Sequence, residues 1–167
     1  MFRSTFILAL FPLVACDGSA QRRSTPEAAD NGSSTIISGM VGAKKFEASG
    51  PGRCRHTPEA SIYSVPAALW MVEYSNSDNS RLKQLNLTLW RPKDGSADQI
   101  SLSLETGSTS HRINTGGRGD QIGDGKVTLT PSGAGGRFEI KGNDATGTRL
   151  DVAITCPAFA GIEAEGG

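Results

Sequence analysis

The sequence predicts an all-β protein, an antiparallel β-sandwich of about eight strands in a single domain. Residues 85–89 and 100–104 carry the strongest pattern, because leucine or isoleucine occupies every second position in both segments. A period of two is that of a strand with one buried face. Turn-forming residues separate such segments, the chain contains 21 glycines, and no segment shows the apolar period of a helix. Short strands with frequent turn signals are typical of a sandwich.

In chain order, strands are predicted at residues 36–41, 45–48, 62–65, 69–74, 85–89, 100–104, 127–129, 138–140 and 150–154. The first two flank Gly42 and are expected to form a hairpin. The strand at 62–65 is expected to end at Pro66, because proline donates no hydrogen bond to a sheet. The strand at 69–74 is the most apolar, so we place it inside a sheet with both faces covered.

The amino terminus resembles a bacterial lipoprotein signal. Arg3 precedes the apolar run of residues 6–15, which has the length of a secretory signal. At about 1.5 Å per residue, the run is too short to cross about 30 Å of hydrocarbon. Its end, Leu13-Val14-Ala15-Cys16, is similar to the lipobox. The resemblance implies cleavage before Cys16 and acylation of that residue, so that the acyl chains hold the protein on the extracytoplasmic side of a bacterial membrane. An ordinary cleaved signal is the alternative.

The predicted organisation has four parts: a lipoprotein signal peptide at 1–15, a lipidated disordered tether at 16–34, the β-sandwich domain at 35–160 and a flexible tail at 161–167. The tether has almost no side chain able to pack in a core. The chain carries 17 basic and 17 acidic residues, and loss of residues 1–15 removes only Arg3, which leaves 16 and 17. A chain with nearly equal numbers of basic and acidic residues does not have the excess positive charge of a nucleic-acid-binding protein, so we expect no nucleic-acid partner.

The chain has three cysteines. With Cys16 assigned to lipidation, Cys54 and Cys156 are left as a possible pair, and export would place them where disulfides persist. Cys156 has the same parity as the apolar residues 150, 152 and 154, so its thiol is expected on the core side. Two buried free thiols are the alternative.

A further resemblance rests on the two ends of the chain. The lipobox, the polar tether, Gly52-Arg53-Cys54 and the closing Cys156-Pro157 are similar to the mycobacterial LpqH-type lipoprotein antigens, and residues 136–142 are similar to their late strands. The middle of the chain, including the strands of the two tryptophans, has no counterpart. The resemblance implies a lipid-anchored surface domain closed by a disulfide, and it adds no catalytic residue.

No catalytic or cofactor motif is present, so neither an enzyme nor a cofactor is predicted. His56 has no second ligand pair for zinc, and His111 is expected in an exposed turn. In the glycine-rich residues 116–125, Asp120 and Asp124 are weak candidates for calcium ligands, and a long hairpin is the alternative. Two further alternatives are glycosidase carboxylates at Asp94 and Asp98 or at Asp120 and Asp124, and a sugar-stacking surface of Tyr63, Trp70, Tyr74 and Trp90.

The sequence therefore predicts a lipid-anchored bacterial envelope protein with a non-catalytic domain that has a binding or structural role. Its expected partner is the membrane, through acyl chains on Cys16, whereas the ligand or protein partner is not specified. A carrier of a lipid or carbohydrate is the alternative function, and a hydrolase is a weaker one.

Overall fold

Eleven strands make up the folded part of the chain in the structure, a computed structural model that describes residues 34–79, 81–116 and 121–162. The strands are β1 (Thr35–Val41), β2 (Lys44–Gly50), β3 (Gly52–Ile62), β4 (Val65–Ser75), β5 (Gln84–Pro92), β6 (Gln99–Thr106), β7 (Thr109–Asn114), β8 (Asp124–Ser132), β9 (Gly135–Asn143), β10 (Arg149–Cys156) and β11 (Ala160–Gly161). No helix in these residues is long and apolar enough to cross a membrane. The predicted all-β class is confirmed, with more strands than expected.

The strands form two sheets. One has five strands in the order β2-β1-β10-β9-β8, and the other has six in the order β11-β3-β4-β5-β6-β7. Neighbouring strands are antiparallel, except that the short β11 runs parallel to β3. The alternating segments pair as the sequence suggests, with Leu87 opposite Leu102 and Leu89 opposite Ile100. Strand β4 lies inside its sheet, between β3 and β5.

The strands of one sheet cross those of the other. At the start of β1, Thr35 Oγ1 lies 3.7 Å from Cys54 Sγ on β3. At the end of β1, Val41 shares a cavity with Thr106 of β6. Because β3 and β6 lie toward opposite sides of the six-stranded sheet, β1 spans that sheet from side to side, as in orthogonally packed sandwiches.

One continuous apolar core lies between the sheets. It includes Ile37, Val72, Leu85, Leu87, Leu89, Leu102, Phe138, Ile140, Val152 and Ile154, each at most 1% exposed. The alternating leucine and isoleucine side chains of β5 and those of β6 therefore face the same interior. Full burial of such a side chain contributes about 1.5–3 kcal/mol, so this core is the main source of stability.

The expected strand at 62–65 is wrong in its boundaries. Tyr63 and Ser64 are the turn between the longer strands β3 and β4, and Pro66 lies within β4. Both turn residues have positive φ, 50° and 69°, the conformation that a two-residue turn needs to match the twist of its strands. Because neither residue is glycine or asparagine, the sequence gives no signal for this turn.

The expected exposed turn at His111 is also wrong. His111 lies in β7, paired with Leu104 of β6, and it is 7% exposed. With Ile113 it forms the inward-facing side of the strand, while Ser110 and Arg112 are exposed. The strand has only one strongly apolar residue, so its polar composition conceals its period of two.

Candidate functional site

A disulfide joins the two sheets along one margin of the sandwich. Cys54 on β3 and Cys156 on β10 are bonded, with their Cα atoms 6.0 Å apart and a sequence separation of 102. Both side chains are buried. The predicted pairing is confirmed, and the alternative of two free thiols is wrong.

A polar pair joins the sheets along the opposite margin. His111 Nδ1 on β7 lies 2.7 Å from Asp144 Oδ2 in the loop between β9 and β10. The two side chains are 9% and 5% exposed. A carboxylate accepts hydrogen bonds, so Nδ1 carries the proton and the ring orientation is fixed. This pair bridges the sheets without a covalent bond.

Asp144 is held by more than its histidine. Its Oδ1 accepts hydrogen bonds from the amide and hydroxyl of Thr146, at 2.8 and 2.7 Å, and from the amide of Thr148 at 2.9 Å. Burial raises the pKa of Asp144, but the hydrogen bonds from His111, Thr146 and Thr148 outweigh it and lower the pKa to about 2. The carboxylate is therefore ionised at every physiological pH.

A cavity of about 530 Å³ opens beside this pair. His111 lines it together with residues from the β1–β2 hairpin, the β6–β7 hairpin, the loop after β4 and the loop after β9. Its apolar lining includes Val41 and Phe46, and its hydroxyl lining includes Thr106 and Thr148. A volume of 530 Å³ lies within the range of roughly 300–1,000 Å³ that small-molecule sites occupy.

The charged residues that line this cavity are all basic. They are Lys44 and Lys45 at the start of β2 and Arg81 in the loop between β4 and β5. Among the described residues, none of the three forms an ion pair, whereas the neighbouring Lys83 lies 3.8 Å from Glu105. The cavity is therefore a region of uncompensated positive charge.

His111 contributes an oriented imidazole to the cavity wall. Its Nδ1 is occupied by Asp144, which leaves Nε2 as the ring nitrogen for a ligand. In the described part of the chain no hydroxyl or thiol is hydrogen-bonded to Nε2. The geometry therefore places an oriented imidazole on the wall of the cavity.

The predicted lipidation site, Cys16, and one of the two weak calcium candidates, Asp120, lie outside the described residues. The other candidate, Asp124, accepts two hydrogen bonds of 3.2 Å from Asn143 Nδ2. Within residues 34–79, 81–116 and 121–162, no group of three or more His, Cys, Asp or Glu side chains is placed to hold a metal ion. Calcium binding at Asp120 and Asp124 stays a prediction.

The other candidates are not brought together. Asp98 is bound by Arg91 in a bidentate pair of 3.1 and 2.8 Å, so it is committed to a structural contact. Trp70 and Tyr74 are 8% and 2% exposed and lie in the core. Because Tyr63 lies in a turn and Trp90 faces the opposite side of the sheet from its neighbours Leu87 and Leu89, the four aromatic residues form no common surface.

His56, for which no zinc site is predicted, lies against an aromatic side chain. Its ring is stacked on Trp70, with centroids 4.4 Å apart and planes 8° apart, and its Nδ1 lies 2.9 Å from the carbonyl oxygen of Leu69. The guanidinium of Arg91 lies 5.4 Å from the Trp70 ring centroid. These contacts cover the edge of the core and leave His56 in a packing role.

Sequence reasoning missed the pair of His111 and Asp144 and the cavity beside it. The available signal was local: His111 and Ile113 are two residues apart between polar neighbours, as on the buried face of a strand. Nothing in the sequence links His111 to an aspartate 33 residues away. The three basic cavity residues come from two separate segments, the start of β2 and the loop between β4 and β5, so they form no continuous run of charge in the sequence.

The fold and the site together define a disulfide-closed β-sandwich with a basic cavity at one margin. No family model, no curated protein and no solved structure matches the chain. The function is therefore argued from the residues and their geometry.

Proposed function

We propose that this protein is a lipid-anchored lipoprotein of the bacterial envelope and that its β-sandwich is a non-catalytic binding module. The observation that carries the proposal is the use of the three cysteines. Two of them form the disulfide between the sheets, and the one left is Cys16, at the end of the lipobox-like Leu13-Val14-Ala15-Cys16. A structural disulfide and a lipidated cysteine both belong to an exported protein.

The path of the chain supports an anchored domain with an accessible cavity. The segment that would carry the lipid precedes Thr35, the first residue of β1, and Thr35 lies beside Cys54. Val41, at the other end of β1, lines the basic cavity. A strand of 7 residues separates its ends by roughly 20 Å. The anchor and the cavity therefore belong to opposite margins of the domain.

The interior of the sandwich favours binding at the margin over transport of a lipid between the sheets. Core side chains from both sheets fill the space between them and are almost fully buried. A carrier of an apolar ligand needs an internal cavity lined by apolar groups. The cavity beside His111 instead combines apolar residues with lysines, arginine and threonines.

The anchor is tested by expressing the chain and its Cys16→Ala variant in a bacterium that processes lipoproteins. We expect the parent protein to partition into detergent and to yield an amino-terminal peptide that begins at Cys16 with the added mass of acyl chains. The Cys16→Ala variant should lack both the acyl mass and cleavage at that position.

A variant with both Cys54 and Cys156 changed to serine is the matched control, because it removes two thiols and leaves the lipobox intact. Any of this protein that escapes degradation should remain acylated. An unmodified amino terminus in the parent protein, or unchanged detergent partitioning of Cys16→Ala, would refute the anchor.

A further inference from the structure

We propose that the cavity beside His111 binds the phosphate group of a small phosphate monoester. The proposal rests on the binding part of the proposed function and does not depend on the lipid anchor. It begins from charge: Lys44, Lys45 and Arg81 line one cavity, and none of them has an acidic partner among the described residues.

A second cavity of the same protein provides a comparison. It has a volume of about 430 Å³ and is lined by both Arg53 and Glu73, whose charged groups lie 3.8 Å apart. Its basic residue therefore has an acidic partner within the lining, which Arg55 also contacts at 3.1 Å. The cavity beside His111 has no acid in its lining, and the carboxylate behind His111, that of Asp144, is occupied by His111, Thr146 and Thr148. Its cations are left for a ligand.

The number and kind of groups favour phosphate over a single carboxylate. A phosphate monoester carries a charge of about −1.5 to −2 at pH 7 and three acceptor oxygens. Lys44, which shares its face of β2 with Phe46, and Arg81 can balance that charge, and an arginine fork matches the spacing of phosphate oxygens. The hydroxyls of Thr106 and Thr109 also line the cavity and can donate hydrogen bonds to the same oxygens.

The remaining lining suits the organic part of such a ligand. Val41 and Phe46 supply apolar surface in the same cavity. His111 offers Nε2, which accepts a hydrogen bond from a hydroxyl group when the ring is neutral. A phosphorylated polyol or sugar presents both an anionic group and hydroxyl groups, so this class of molecule matches the lining.

The test measures binding of inorganic phosphate and of glycerol 3-phosphate by titration calorimetry, with the full chain in a neutral maltoside detergent. A neutral detergent keeps the protein in solution whether or not Cys16 is acylated. Saturable binding of glycerol 3-phosphate, tighter than that of inorganic phosphate, is the expected result. Arg81→Ala should weaken it about tenfold, which is the loss of about one charge-assisted contact.

Lys83→Ala is the matched control. Lys83 lies two residues from Arg81 and carries the same charge, but it faces Glu105 and does not line the cavity. We expect its affinity for glycerol 3-phosphate to stay within about twofold of the parent, in keeping with an exposed ion pair. Equal losses in Arg81→Ala and Lys83→Ala would show non-specific attraction and overturn the site, as would the absence of saturable binding by the parent.

The source of the phosphate is separated by adding phosphatidic acid to the detergent micelles. If the cavity takes lipid headgroups, the added lipid competes and weakens the apparent affinity for glycerol 3-phosphate. An unchanged affinity assigns the site to a soluble phosphate ester. Failure of the anchor would appear in the mass of the amino-terminal peptide and leave this titration unaffected, so the two proposals fail independently.

Discussion

The two margins at which the sheets are joined differ in chemistry and in surroundings. At one, Cys54 and Cys156 form a covalent bond between β3 and β10. At the other, His111 and Asp144 are held by a hydrogen bond of 2.7 Å between β7 and the loop after β9. The disulfide uses both sulfur atoms and so leaves no polar group for a ligand. The polar link leaves His111 Nε2 without a role in the pair, and His111 lies beside a cavity lined by basic residues. The second margin therefore has groups that can contact a ligand.

The disulfide stabilises the protein mainly through the unfolded state, whereas the polar pair acts in the folded state. A disulfide acts mainly by restricting the unfolded chain, and more so for a long loop. A buried polar pair contributes little net stability when both partners are present, because the cost of desolvation offsets the attraction between them, yet removal of one partner leaves the other unsatisfied and is costly. The comparison therefore predicts a larger effect for opening the disulfide than for altering the polar pair.

The largest expected effect is that of the double variant Cys54→Ser, Cys156→Ser. Because the cysteines have a sequence separation of 102, the chain-entropy model predicts a loss of about 4–5 kcal/mol in the free energy of unfolding. Urea unfolding followed by tryptophan fluorescence measures it. Cys16→Ser is the control and should leave the midpoint unchanged, because Cys16 takes no part in the bridge. A double variant as stable as the parent would mean that the disulfide does not contribute to the free energy of unfolding.

A smaller loss is expected for Asp144→Asn. The amide keeps the shape of the side chain but replaces the carboxylate, whose oxygens accept hydrogen bonds from His111, Thr146 and Thr148, with a neutral group. Buried hydrogen bonds to a charged group contribute about 1.5–3 kcal/mol, so we expect a loss of about 2 kcal/mol in the free energy of unfolding. The same urea titration measures this loss.

Asp151→Asn is the matched control for that variant. Asp151 lies on β10 and forms an exposed pair of 3.9 Å with Lys141, so its replacement should change stability by less than about 0.5 kcal/mol. Equal losses in the two variants would show that the pair of His111 and Asp144 adds nothing beyond a surface charge.

The contrast between the margins also explains what the sequence could predict. Cys156 follows the inward-facing residues Leu150, Val152 and Ile154 with the same parity, so local periodicity alone placed its thiol in the core. The alternation at 85–89 and 100–104 predicted two paired strands for the same reason. The strand predictions needed only the period of a strand, and the disulfide prediction also needed the count of cysteines, the assignment of Cys16 to lipidation and the expectation of export.

The polar margin could not be predicted because its parts meet only in the folded state. His111 stands in a polar strand, Asp144 in a turn 33 residues later, and Arg81 in another loop. The crossing of the two sheets brings these segments together, and that geometry has no local sequence signal. The turn at Tyr63 and Ser64 was missed for a related reason. The strands on either side impose positive φ on these two residues, and neither is a residue type that commonly adopts it.

The pH dependence of stability distinguishes a carboxylate that accepts strong hydrogen bonds from one that is merely buried. The pKa of Asp144 is lowered from 3.8 to about 2 in the folded protein. Between these values the unfolded chain binds a proton that the folded protein does not, so lowering the pH favours unfolding. The stabilisation from Asp144 is complete above pH 4 and declines as the pH falls toward 2.

We therefore expect the stability difference between the parent protein and Asp144→Asn to shrink as the pH is lowered from 5 to 2. Other carboxyl groups titrate in both proteins, so taking the difference removes their contribution, and urea titrations at several pH values measure it. The effect is smaller than that of the substitution itself because Asp144 is only partly protonated at pH 2. A difference that stays constant, or grows, as acid is added would mean that Asp144 does not have a lowered pKa and that the polar margin is held by packing alone.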